Sequence, residues 1–227
     1  MPVVTYKYDL EEDIKNILWL INNKSFLSSN SPNKQYGKIP IEIVEIIKSE
    51  KDQETQGRIL RDYLNNINQR GYIEQKIEKF QNDWNKINAE YFRRLEIILA
   101  SILPPETTYT AFLTNAGGCT LDARHRTFKA PLHDDDMVNT VTAHEIMHIG
   151  FIRKYWRYCY EELKLNNQQF SDFQEASTFL LNEEMSDILS RPDHGYKEHK
   201  ELREKLLAQW RKDKNFINIL DYYKSLL

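Results

Sequence analysis

Residues 142–150 read Thr-Ala-His-Glu-Ile-Met-His-Ile-Gly, and this stretch decides how the rest of the chain is read. His144, Glu145 and His148 form an H-E-x-x-H arrangement within it. On a helix, residues four apart lie only about 40° apart around the axis. Both imidazoles can therefore aim a ring nitrogen at one point. Glu145 lies about 100° round from His144, too far to be the natural third ligand but near enough to reach a water on a shared ion. The spacing separates two metal ligands from one general base. Two incidental histidines on a helix surface are the plain alternative. Val138, Val141, Ile146 and Ile149 argue against it by making other faces of the same helix apolar. They bury the segment, and buried histidines need partners.

A catalytic zinc site takes three protein ligands and leaves one position open. One known continuation places a Gly three residues after the second His and a further His six residues after it. Phe151 and Lys154 occupy those positions, which excludes the metzincin pattern. The other continuation is a carboxylate on a second helix. Leu180-Leu-Asn-Glu-Glu-Met-Ser-Asp-Ile-Leu offers Glu183 as the third ligand, with Asp187 one turn later on the same face to accept the free ring N–H of a ligating histidine. Glu184, Glu175 and Glu161 are rival third ligands, and Glu184 points about 100° away from the Glu183–Asp187 face.

His144-Glu145-x-x-His148 followed by Asn182-Glu183-x-x-Ser186-Asp187 resembles the gluzincin metallopeptidases, particularly thermolysin-like enzymes and predicted bacterial zinc-dependent proteases. The match covers two helices. It implies a zincin-like core, Zn²⁺ held by His144, His148 and Glu183, Asp187 supporting His144, and Glu145 as general base in peptide-bond hydrolysis. It also puts the preceding strands, Tyr109 to Thr114 especially, where such families carry an edge strand that binds an extended substrate. Between His148 and Glu183 lie 34 residues (149 to 182), more than is usual in that family. Residues 155 to 172 are therefore expected to lengthen the motif helix and return through a loop near Asn166-Asn-Gln-Gln. The aminopeptidase signature Gly-x-Met-Glu-Asn is absent. Candidate oxyanion or proton donors are Tyr155, on the face of His144, His148 and Phe151, and His194 and Tyr196, just beyond the second ligand helix.

Working outward, the pattern predicts an α+β protein that is mainly α. Residues 1–103 read as an N-terminal helical region and 104–227 as a zincin-like catalytic region. Leu10, Ile14, Ile17, Leu18 and Ile21 make one helix face. Ser28-Ser-Asn-Ser-Pro-Asn reads as a loop, and a second helix follows Pro40 and ends or bends before Gly71. A third carries the stripe Ile77, Phe80, Trp84, Ile87, Tyr91, Leu95, Ile98 and Ile102, until Pro104-Pro105 stops it. Residues 107 to 131, rich in β-branched and aromatic types, predict a small sheet. Further helices are expected at 137–160, 169–190 and 197–225.

The 227 residues carry 31 Lys+Arg and 34 Asp+Glu, a net charge of −3, which speaks against a nucleic-acid partner. Lys154-Tyr-Trp-Arg-Tyr158 mixes basic and aromatic residues but does not overturn that balance. Cys119 and Cys159 cannot build a disulfide framework and read as thiols of a reducing compartment. No targeting signal or membrane span is legible, so a cytoplasmic protein without a membrane partner is expected. The oligomeric state is open. Asp134-Asp-Asp136 lacks the spacing of a calcium loop, and His125, His133 and His199 have no spaced partner. The functional expectation is a zinc-dependent metallopeptidase acting on a peptide or protein substrate. Its alternative is a catalytically inactive zincin-like protein that binds metal or peptide as a regulator.

Overall fold

The computed structural model describes residues 1–23, 36–68 and 70–227. The loop expected at 28–33 lies outside the described residues. The sheet has four strands: β1 (Val3–Lys7), β2 (Thr108–Thr114), β3 (Leu121–Asp122) and β4 (Thr127–Pro131). They lie in the order β1-β2-β4-β3. β1 and β4 each pair with β2 in parallel, and β3 runs antiparallel to β4 as an edge. β1 was not foreseen: Val3-Val-Thr-Tyr-Lys is short and alternates, and its strand character comes from pairing with β2. Strands from both sides of residue 104 therefore share one sheet.

Strand alternation sorts the two faces. Val4, Tyr6, Tyr109, Ala111, Leu113, Phe128 and Ala130 all point into the larger core. Covering them are α4 (Arg70–Ile98) and the motif helix α5 (Val138–Arg157). The predicted stripe is the buried face of α4, where Phe80, Trp84, Tyr91 and Leu95 are fully enclosed. Ile102 falls beyond the helix end and is 90% exposed. Gly150 lets α5 cross close to α4, since a Cβ there would meet Leu99 Cδ1 at 2.7 Å.

The other sheet face meets α1 (Leu10–Asn22), which shares a second core with α2 (Ile41–Ser49) and α3 (Gln53–Ile67). The single helix expected between Pro40 and Gly71 is thus two, parted where Asp52 caps the start of α3 by accepting from Thr55 N at 2.8 Å. Asp13 of α1 is buried and accepts from Thr114 Oγ1 at 2.6 Å and Asn115 Nδ2 at 2.7 Å. It thereby fixes the turn after β2.

After α5 the chain passes through one π-helical turn (Tyr158–Glu162). It then enters α6 (Asn167–Ser177), whose capping box uses Asn166 and Gln169. Asn166-Asn-Gln-Gln therefore starts a helix instead of forming the return loop. The helix expected at 169–190 breaks at Thr178 and continues only as α7 (Phe179–Glu184). The last predicted helix is likewise two, α8 (Lys200–Asp213) and α9 (Phe216–Ser225), split by Lys214 in a left-handed conformation (φ 49°). Phe151 of α5 ties these helices together, with ring centroids 5.0 Å from Phe170, 5.4 Å from Phe173 and 6.0 Å from Phe216. No helix among the described residues is long and apolar enough to cross a membrane.

Candidate metal centre

α5 presents His144 and His148 on one side, with ring centroids 4.2 Å apart. Phe151, one turn further, packs on Phe173 of α6 and so holds the facing helix in register. The carboxylate this brings to the imidazoles is Glu175. Its Oε2 lies 3.5 Å from His144 Nε2 and its Oε1 3.3 Å from His148 Nε2. Both separations exceed a good N–H···O hydrogen bond of about 2.9 Å. Each is close to the separation of about 3.4 Å between two ligands bound at about 2.1 Å in a tetrahedral site, with each imidazole facing its own oxygen of the carboxylate. His148 Nδ1, His148 Nε2 and Glu175 Oε2 are buried with no hydrogen-bond partner. Orphaned buried polar atoms of this kind call for a partner, and one divalent cation would serve two of the three. His144, His148 and Glu175 are the metal-ligand cluster found among the described residues.

Glu183 is not brought to the pair. Its two carboxylate oxygens each receive a 2.8 Å bond from Arg211. Asp187 faces away as well: both its oxygens are held by Arg94, at 2.5 Å and 2.8 Å. The reason is the position of the turn. His148 lies about 14 Å before the end of α5, and Glu175 about 12 Å after the start of antiparallel α6, at 1.5 Å per residue. The two come level. Glu183 lies two turns further, beyond the break at Thr178. Among the named rivals, Glu184 accepts from Trp210 Nε1 at 2.7 Å, and Glu161 sits in the π-helical turn at the far end of α5.

Asp193 takes the place expected of Asp187, with Oδ2 3.4 Å from His144 Nδ1. The loop that carries it is closely held. Asn182 Nδ2 donates to the Asp193 carbonyl at 2.7 Å, and Asp193 N donates back to Asn182 Oδ1 at 2.8 Å. Arg203 of α8 donates to the same carbonyl at 2.9 Å and to Thr178 Oγ1 at 2.7 Å. Gly195 has φ +59°, and a Cβ there would stand 2.5 Å from Arg203 Nη1, so the turn requires glycine. Sequence reasoning named Glu175 only as a rival and passed over Asp193. The signals were Asn182 and the Pro-Asp-His-Gly turn, each legible as loop chemistry but silent about what the loop approaches.

Charges at the centre oppose one another. Burial pushes the Glu175 and Asp193 carboxyls up, but the imidazoles outweigh it, aided at Asp193 by Thr178 and Arg203, and both are held well below the usual range. Burial pulls His144 down, yet Asp193 and Glu175 overcome it and raise it well above its ordinary value. His148 is lowered by burial and by the charge of His144. Glu145, 7% exposed, is pushed up to about 8 by burial, with Glu175 and Asp193 adding to the rise.

The centre opens into a cleft of about 710 Å³ lined by His144, Glu145, Asp193 and Tyr196, with Cys119 and Val141 among the other walls. His194 and Tyr196 both line it. Tyr155 does not: its hydroxyl is buried and donates to the Leu99 carbonyl at 2.7 Å. β2 pairs on both sides and is not an edge strand; the edges of the sheet are β1 and β3. No protein-family model matches the chain, and comparison with curated proteins and with solved structures returns no match.

Proposed function

We propose that the chain is a zinc-dependent metallopeptidase with a zincin-like core, acting on a peptide or protein substrate. The observation that supports this best is the approach of His144 Nε2 and His148 Nε2 to the two oxygens of Glu175, 3.5 and 3.3 Å away, with buried atoms otherwise unpaired and His144 and Glu145 lining an open cleft. Two imidazoles and one carboxylate form the donor set of a catalytic zinc site. Zn²⁺, when bound, supplies Lewis-acid polarisation of a carbonyl and acidification of water.

The chain's own groups do the rest. Asp193, with Oδ2 3.4 Å from His144 Nδ1, would orient that ring and take its Nδ1 proton, leaving Nε2 free as a ligand atom. Glu145 takes a proton from water and passes it to the leaving amine. Tyr196, half-buried in the cleft wall, would donate its hydroxyl to the carbonyl oxygen as negative charge develops there. A reducing cytoplasm suits the two free thiols, Cys119 and Cys159.

The test is zinc content and cleavage of a mixed peptide pool by three proteins. The wild type should bind one zinc and cleave. Glu145→Gln should keep the zinc and lose cleavage, and His148→Ala should lose both. Cleavage by Glu145→Gln, or zinc retained at full affinity by His148→Ala, would refute the assignment.

A further inference from the structure

The cleft that holds Glu145 is also lined by a segment far from it in sequence, Gly37 and Lys38, and by the bend after β2, Asn115 to Cys119. Tyr36 and Ile39 are buried in the second core, and Ile39 N donates to the Tyr36 carbonyl at 2.9 Å to close a turn around Gly37 and Lys38. Lys38 N donates to the Asn115 carbonyl at 3.0 Å, and the Lys38 carbonyl accepts from the Tyr63 hydroxyl at 3.0 Å. The main chain of Lys38 is thus fixed against the bend. Its side chain is exposed and has no ion pair or hydrogen bond among the described residues. It is the one lysine or arginine among the described lining residues, which include Asp134, Glu145 and Asp193.

The groups around Lys38 are already spent, apart from two amides. Asn115 Nδ2 donates to Asp13 at 2.7 Å, so its Oδ1 is left to accept from His133 Nε2 at 2.7 Å, and His133 Nδ1 accepts from the Tyr72 hydroxyl at 3.1 Å. Burial and the charges of Lys38 and Lys76 hold His133 below its ordinary value, so it adds no positive charge of its own. Asn115 N donates to Asp13, and Ala116 N to Thr114 Oγ1 at 3.1 Å. The next two amides, Gly117 N and Gly118 N, have no acceptor among the described residues, and Gly118 is buried. A buried main-chain N–H calls for a partner, and consecutive free amides beside an ammonium suit an anion. Gly118 adjoins Cys119, whose thiol is pushed up by burial and by the charge of Glu145. Consecutive Cα atoms lie about 3.8 Å apart, so the free amides are close to the catalytic base.

We infer that the Lys38 ammonium and the Gly117 and Gly118 amides form an anion subsite that holds a carboxylate of the substrate within about three residues of the scissile bond. This deepens the peptidase reading and rests on it for the location of that bond. Three acids in the same lining oppose a more highly charged anion, which favours a carboxylate over a phosphate. The carboxylate has two sources in a peptide. The C-terminus of the chain would make the protein a carboxypeptidase or peptidyl-dipeptidase. An Asp or Glu side chain would make it an endopeptidase selective for acidic segments.

The probes are four hexapeptides of neutral side chains: one with both ends free, its N-acetyl form, its C-terminal amide, and the amide with Glu in the last position. Binding is measured by calorimetry on zinc-loaded Glu145→Gln protein, and cleavage by mass spectrometry on the wild type. Peptides with a carboxylate should bind about tenfold tighter than the neutral amide, as one hydrogen-bonded charge provides. Tight binding of the two free-acid peptides alone assigns the chain terminus, and tight binding of the Glu amide assigns a side chain. In the Glu145→Gln background, Lys38→Gln should abolish the preference, Lys38→Arg should retain it, and Lys86→Gln should leave it unchanged, each checked for helix content and zinc. Added salt should weaken it. Equal binding of all four peptides, a preference that survives Lys38→Gln, or binding lost on acetylation instead of amidation, which would place an amine at Asp134, would overturn the inference. Carboxylate-selective binding without cleavage would leave the subsite standing and sink the peptidase reading. Cleavage without that preference would do the opposite.

Discussion

Two pairs of acids sit within twenty residues of each other and have opposite surroundings. Glu175 and Asp193 face imidazoles, and Glu175 keeps a buried oxygen with no hydrogen-bond partner. Glu183 and Asp187 are each gripped by both nitrogens of an arginine fork, Arg211 and Arg94. A carboxylate already neutralised by guanidinium has no charge left to offer a cation. One that is buried with an oxygen no hydrogen bond reaches has. The difference teaches that a ligand is recognised by what its surroundings leave unsatisfied, and that spacing along a helix only nominates it.

The sharpest way to break the comparison is to neutralise one acid from each pair. Glu175→Gln should weaken zinc binding more than about 100-fold, beyond the loss typical of supporting residues, while Glu183→Gln should bind zinc as the wild type does. Competition with a chromophoric chelator measures both. Asp193→Asn should lower zinc affinity by about 10- to 100-fold, and Asp187→Asn should leave it unchanged in the same titration. Arg203→Met separates the loop's anchor from its ligands. It strips a buried partner from Asp193 and should cost about 3 kcal/mol in urea denaturation. Arg211→Met removes an exposed fork and should have a far smaller effect on the same curve.

The helical composition, the strand region at 107–131 and the orientation of His144 and His148 were legible because each depends on local periodicity. The carboxylate that faces the two imidazoles was not. It depends on where α5 stops and α6 begins, and that is set by a π-helical turn and the Asn166–Gln169 capping box. A shift of two helical turns exchanged Glu183 for Glu175. β1 was missed for a related reason, since a five-residue strand is specified by its partner across the sheet and not by its own residues. Asn182 falls within the Asn-Glu-x-x-Ser-Asp pattern but acts as a bracket for the Asp193 loop.

Crystals grown with zinc and measured at the zinc absorption edge test the central claim most directly. The account predicts one anomalous peak per chain, about 2.1 Å from His144 Nε2, His148 Nε2 and a Glu175 oxygen, with Glu183 still on Arg211. No peak between those three side chains, or a peak that recruits Glu183 while Glu175 turns away, would contradict it.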